Sequence, residues 1–187
     1  MTPTPLPRLV ERRPREGHVH PAVKGDIARV LRFFGEPYLY GLRSIELVQQ
    51  NVVAGDNLLM GRLVVPGRII LYDQPPSPWL LPRGLSAKAI DKLYHAGAVV
   101  EEGSPGAHTV VSWPGATLRD YMLFDVLMHE IGHHLIQQYT GKRRARVVRT
   151  KDHEAFAGHV ARQCRLLYES RDDTASGGAT SGGTASL

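Results

Sequence analysis

The sequence predicts an α+β domain with a small, mostly antiparallel sheet, and three observations carry that expectation. Short β-like runs come first, tight turns join neighbouring runs, and two long helical patterns come last. The chain has 187 residues, of which 42% are hydrophobic and 22% charged. That is enough for one core and little more.

Both ends fall outside the expected core. Residues 1–17 are rich in Pro and Arg, and 170–187 are mostly Ser, Gly, Thr and Ala. Neither segment holds enough apolar side chain to offset its ordering entropy, so both are expected to be disordered and the domain to span 18–169. The first helix is expected over about 21–34, where Val23, Ile27, Val30, Leu31 and Phe34 follow the 3.6-residue period, Pro21 suits the first turn and Gly35 the end. Strands are expected at 44–49 and 58–65, then, after a Pro66-Gly67 turn, at 68–72. Four prolines in 74–84 predict a surface loop. Ser86 and Gly97 frame a short helix over 87–96. Runs at 98–102 and 108–113 form a hairpin around Gly103-Ser104-Pro105-Gly106. The long helices are expected over 118–139 and 152–168, the first stopped at Gly141.

Composition excludes several classes. No run of about 18 apolar residues offers a membrane span. Met1-Thr2-Pro3-Thr4-Pro5 has no basic segment leading into an apolar one, so no secretory signal is expected. The single cysteine, Cys164, has no internal partner and reads as a core residue in a reducing, cytoplasmic setting.

The chemistry lies in the first long helix, which contains His129-Glu130-Ile131-Gly132-His133. Four helical residues amount to about 40° of rotation and 6 Å of rise, so both imidazoles share one face a turn apart. Each can place a ring nitrogen about 2.0–2.1 Å from one zinc ion. Glu130 falls beside the pair, where it can take a proton from a metal-activated water attacking a carbonyl. The flanks are apolar nearly all round, which indicates a buried helix. Two histidines and a glutamate buried there are costly unless a metal, or hydrogen bonds to neighbours, satisfy them.

A catalytic zinc site needs a third protein ligand and an open position. The next helix begins Thr150-Lys151-Asp152-His153-Glu154-Ala155-Phe156-Ala157-Gly158-His159, and its small residues allow close approach to the metal helix. Asp152, His153, Glu154 and His159 are the candidates there. HExxH followed some twenty residues later by Glu154-Ala155 resembles the gluzincin branch of the zincin metallopeptidases. Glu154-Ala155-Phe156-Ala157 resembles the Glu-Ala-x-x-Phe-Ala helix of ImmA/IrrE-type peptidases, with closer spacing. The resemblance covers roughly 108–165. It implies Glu154 as third ligand, a sheet packed on an active-site helix and a glutamate helix, and an extended peptide paired to an exposed strand edge, here 108–113. A histidine third ligand would instead resemble the SprT-like peptidases.

Around this centre, Asp125 lies one turn before His129, where it either orients the second ring nitrogen or faces solvent. Spacing on the helix turns His134 away from the metal. Tyr121, Tyr139, His159 and Arg162 are candidates to stabilise an oxyanion. His18-Val19-His20 has strand-like ligand spacing with nothing nearby to complete a site, so exposed histidines are expected there.

The formal net charge is +5, and six of the eleven residues in 141–151 are basic. That run suits contact with nucleic acid or an acidic partner, or a solvated connector complementing the preceding helix end. Two functions follow. One is a zinc-dependent metallopeptidase with His129, His133 and Glu154 as ligands and Glu130 as base, acting on a peptide or protein with no membrane partner. The alternative is a nucleic-acid-associated module with a structural or vestigial zinc and contacts through 142–151.

Overall fold

Alternate burial of Ile45 and Leu47 marks β2 (Ser44–Val48) as a strand with one inward face, whereas β4 (Arg68–Tyr72) is buried from Ile69 onward. The two pair in parallel and form the middle of a four-stranded sheet. The structure is a computed structural model that describes residues 5–50, 59–81, 85–102, 108–140 and 150–176.

On one side of β2 lies β1 (Arg8–Glu11), also parallel; on the far side of β4 lies β3 (Gly61–Val64), antiparallel and joined to β4 through the Pro66-Gly67 turn. The order β1-β2-β4-β3 leaves β3 at an edge. α1 (Lys24–Phe34) and the short α2 (Glu36–Leu39) carry the chain from β1 back to the start of β2, which is why these strands run parallel. α1 buries Ile27, Ala28, Val30 and Leu31 and ends at Gly35 with φ 69°.

A second, three-stranded sheet is antiparallel throughout, in the order β5-β7-β6: β5 (Trp79–Leu81), β6 (Val99–Glu102) and β7 (Thr109–Ser112). Between β5 and β6 lies α3 (Ala87–His95), capped by Ser86, whose Oγ accepts from the Ala89 N–H at 3.3 Å.

The chain then runs without a break through α4 (Thr117–Asp120), a π-helical stretch over Tyr121–Met128, and α5 (His129–Tyr139). Every residue of the π stretch except Asp125 is buried. Its Leu127 and Met128, with Ile131 of α5, join Ile45, Leu47, Ile69 and Leu71 in the core. α6 (Lys151–Ser176) packs along this helix.

The α+β class holds, with four corrections. The larger sheet is not mostly antiparallel, because α1 and α2 form a crossover between β1 and β2. The N-terminal 17 residues are not all unstructured: Arg8–Glu11 form β1, held by backbone pairing with β2 and by Leu6 and Leu9, which pack against the core. The proline-rich 74–84 segment holds β5, because Trp79 is buried against Trp113 with ring centroids 5.1 Å apart. The last helix continues beyond 168 to Ser176, into the expected tail. The 103–106 turn, residues 141–149 of the basic run and the tail from 177 lie outside the described residues. Among those described, no helix is long and apolar enough to cross a membrane.

Candidate metal centre

α5 sets His129 and His133 one turn apart, and their rings stand nearly perpendicular, at 84°, with centroids 4.8 Å apart. Their Nε2 atoms approach to 3.2 Å. From α6, Glu154 places Oε2 3.3 Å from His129 Nε2 and Oε1 3.3 Å from His133 Nε2. These three residues form a group able to hold a metal ion, with one donor atom from each within 4.8 Å of the others. Tetrahedral ligands about 2.0–2.1 Å from zinc lie about 3.3 Å apart. The two Nε2 atoms match that spacing, as does each Nε2 with its nearer Glu154 oxygen, the two histidines facing different oxygens of that carboxylate. The donors are two imidazoles and a carboxylate, a set suited to zinc and to other divalent first-row metals.

The approach of α6 depends on Gly132. A Cβ there would lie 2.8 Å from the Ala157 Cα and 3.2 Å from its Cβ. The glycine inside the HExxH run thus lets the two helices touch, three residues along α6 from Glu154. The start of α6 is fixed locally: Thr150 Oγ1 accepts the His153 N–H at 3.2 Å and Thr150 O accepts the Glu154 N–H at 3.1 Å.

Glu130 is buried at 5% exposure, and its Oε2 accepts the Leu63 backbone N–H at 2.8 Å. Leu63 belongs to edge strand β3. The Tyr72 N–H donates to Met60 O, so Met60, Arg62 and Val64 direct their backbone groups toward β4. Gly61 and Leu63 direct theirs to the open side. A Cβ on Gly61 would lie 2.8 Å from Val126 Cγ1, so glycine also lets this strand lie close on the π-helical stretch that leads into α5.

Beside the centre is a cleft of about 460 Å³. Its walls are Gly61–Val65 on one side and His133, Ile136 and Gln137 of α5 on the other, with His153 of α6 at the rim.

The structure brings together His129, His133 and Glu154 in one three-donor group, while Glu130, next to His129 in the chain, is bonded to Leu63 of β3. His153 stands at the cleft instead of in the three-donor group, with its Nδ1 3.4 Å from the Thr150 N–H. Asp152 and His159 are exposed on α6. Asp125 does not orient His129 and does not face open solvent; it forms a short ion pair with Arg165 of α6. His134 turns away and donates from Nε2 to Tyr40 O at 2.9 Å. Burial lowers the His134 pKa, against the opposing effect of the Tyr40 carbonyl.

None of the four oxyanion candidates lines the cleft. Tyr121 is buried against Trp113, and its phenol is pushed up to about 12 by burial first and the Asp125 charge next, with Arg165 opposing. Tyr139, His159 and Arg162 are exposed. The 108–113 segment is corrected too: β7 is the central strand of its sheet, paired on both sides, so it has no free edge. His18 and His20 are half-buried instead of exposed, each with a ring nitrogen on a backbone carbonyl.

Leu63 and the cleft residues carry no chemical signature in the sequence. The strand pattern at 58–65 is the available signal, but nothing local says that this strand is the edge beside the helix that carries His129 and His133. No protein-family model, curated protein or solved structure matches the chain.

Proposed function

We propose that this chain is a zinc-dependent metallopeptidase of gluzincin-like type, with His129, His133 and Glu154 as ligands and Glu130 as general base. The observation that carries it is the convergence of two imidazole Nε2 atoms and a carboxylate at 3.2–3.3 Å. Three protein ligands leave one tetrahedral position open, as hydrolysis requires and a closed four-ligand structural site does not.

When bound, a zinc ion supplies Lewis acidity, polarising a carbonyl and lowering the pKa of a water to about 7. Glu130 is tethered through Oε2 to Leu63, a residue of the cleft wall that His133 also lines. The carboxylate takes the proton of the attacking water and returns it to the leaving amine. The outward carbonyls of Gly61 and Leu63, with the Gly61 N–H, pair with an extended peptide along β3. Leu59, Leu63, Val65 and Ile136 of the cleft accept an apolar side chain. A β3 edge over a metal helix, with a glutamate helix behind, supports the zincin-like arrangement that the resemblance implies.

The test is metal content and peptidase activity of purified wild type, His133→Ala and Glu154→Ala. The wild type is expected to hold about one zinc per chain and to cleave an unstructured protein such as casein; both variants lose the ion and the activity. A wild type with no stoichiometric divalent ion, or variants that keep it, would overturn the assignment.

A further inference from the structure

Arg62 stands on β3, the edge of the four-stranded sheet, and its side chain is exposed. The strand registers place Glu46, Ile70 and Arg62 in one row across β2, β4 and β3, so the three share a sheet face. Glu46 is engaged within the sheet: it accepts the Ser44 hydroxyl at 3.0 Å and lies 3.9 Å from the Arg68 guanidinium. Ile70, between them, is buried. The Arg62 guanidinium lies 6.0 Å from the centroid of the neutral Tyr72 ring, and among the described residues it meets no carboxylate.

The next place in that row, beyond the edge, belongs to a strand added along β3. A charge on an edge strand by itself deters a second sheet. It also selects among incoming strands, because directly opposed residues of an antiparallel pair share a face. Opposite charges attract there, and like charges repel.

Glu130 sets the register of such a strand. Its Oε2 already holds the Leu63 N–H, so a peptide residue opposite Leu63 finds no donor on β3 for its own carbonyl. That carbonyl is left beside the carboxylate that activates water, which makes it the one attacked. In an antiparallel peptide the following residue, on the amine side of the cut bond, stands opposite Arg62. The residues before and after it share the face of Gly61 and Leu63, the one against Val126. We infer that Arg62 selects substrates with Asp or Glu immediately after the cleaved bond. This rests on the metallopeptidase reading and adds to it a preference that the apolar cleft does not supply.

The experiment digests a random-sequence peptide library, capped at both ends, with the zinc-loaded full chain and reads the cuts by mass spectrometry. Glu130→Gln supplies the blank. Asp and Glu are expected to be enriched about twofold to fivefold just after the cut, the range of a cross-strand ion pair, with Lys and Arg depleted. The enrichment should fade between about 50 mM and about 1 M salt, where the screening length falls to about 3 Å. Arg62→Glu keeps the ion and reverses the preference to Lys and Arg. Capping removes the terminal carboxylate, so the preference read is that of a side chain. A second readout needs no turnover: fluorescein-labelled capped peptides with Glu or Lys at that position are titrated with Glu130→Gln. The Glu peptide binds tighter by the same factor, and the order reverses in the Glu130→Gln/Arg62→Glu double variant. Cuts without acid enrichment at that position, a preference unchanged in Arg62→Glu, or equal binding of the two peptides would each overturn the inference and leave the metallopeptidase reading in place. A wild type with neither metal nor cuts would overturn that reading itself, and this inference with it.

Discussion

Glu130 and the histidines beside it have different partners: the histidines face the Glu154 carboxylate, while Glu130 accepts a backbone N–H from β3. This contact separates the residue's structural part from its chemical part. Glutamine can still accept the Leu63 N–H but cannot take a proton from water. Glu130→Gln is therefore expected to keep zinc content and unfolding midpoint near wild type while turnover falls by about 10²–10⁴; retained turnover would remove Glu130 from the mechanism. Asp125 and Arg165 bear on stability instead. Their side chains are only 20% and 17% exposed, so Arg165→Ala leaves a largely buried carboxylate without its cation. The expected loss is about 1–3 kcal/mol in a urea unfolding curve, with the metal retained. The His129–His133 pairing was legible because side-chain spacing on one helix is a local property. The Glu130–Leu63 bond spans 67 residues and the Asp125–Arg165 pair 40, and no local pattern encodes either.

Helix-to-helix distance is set by a few small residues, which gives a prediction about α5 and α6 as units. A Cβ at Gly132 collides with Ala157 backbone, which cannot rotate away as a long side chain could. Gly132→Ala must push α6 outward and carry Glu154 off the two histidines. A loss of about 1–3 kcal/mol in stability is expected from overpacking, together with at least a tenfold drop in zinc affinity in chelator competition. Gly158→Ala is the control: its Cβ would meet only the Arg162 side chain at 3.6 Å, and alanine is favoured in a helix by about 1 kcal/mol, so metal affinity should hold and stability should rise. If both substitutions leave zinc affinity unchanged, the close contact is not what positions Glu154. At this scale the sequence was informative about elements and poor about their neighbours. The 44–49, 68–72 and 87–96 patterns found their counterparts in β2, β4 and α3 within a residue or two. Which strand would be an edge was not readable: β3 and β7 carry similar short apolar runs, and pairing made the first an edge and the second a centre.

The molecule as a whole is closed by one buried carboxylate. Asp73, fully buried just after β4, accepts the Arg15 N–H at 2.7 Å and the Gln50 N–H at 2.9 Å, and also pairs with the Arg15 guanidinium. It thereby ties the segment after β1 and the exit of β2 to the end of β4. This helps explain why a Pro- and Arg-rich terminus is built into the sheet: besides Leu6 and Leu9 on the core, it is retained by a partner 58 residues away. Burial by itself would raise the Asp73 pKa, but the backbone N–H groups of Arg15 and Gln50 and the Arg15 charge outweigh it, so the pKa lies below the usual carboxylate value. A carboxyl whose folded pKa is depressed binds protons more readily in the unfolded chain. Its stabilisation is therefore complete above about pH 4 and is lost as pH falls through the folded value. Urea midpoints of wild type and Asp73→Asn, measured from pH 7 to pH 2, should differ at neutral pH, with the variant less stable, and converge in acid. Amide exchange in Arg8–Glu11 should quicken in the variant at pH 7, because the strand loses its anchor without losing its β2 partner. Parallel midpoint curves across the whole range would mean that Asp73 does not link the N-terminal strand to acid stability.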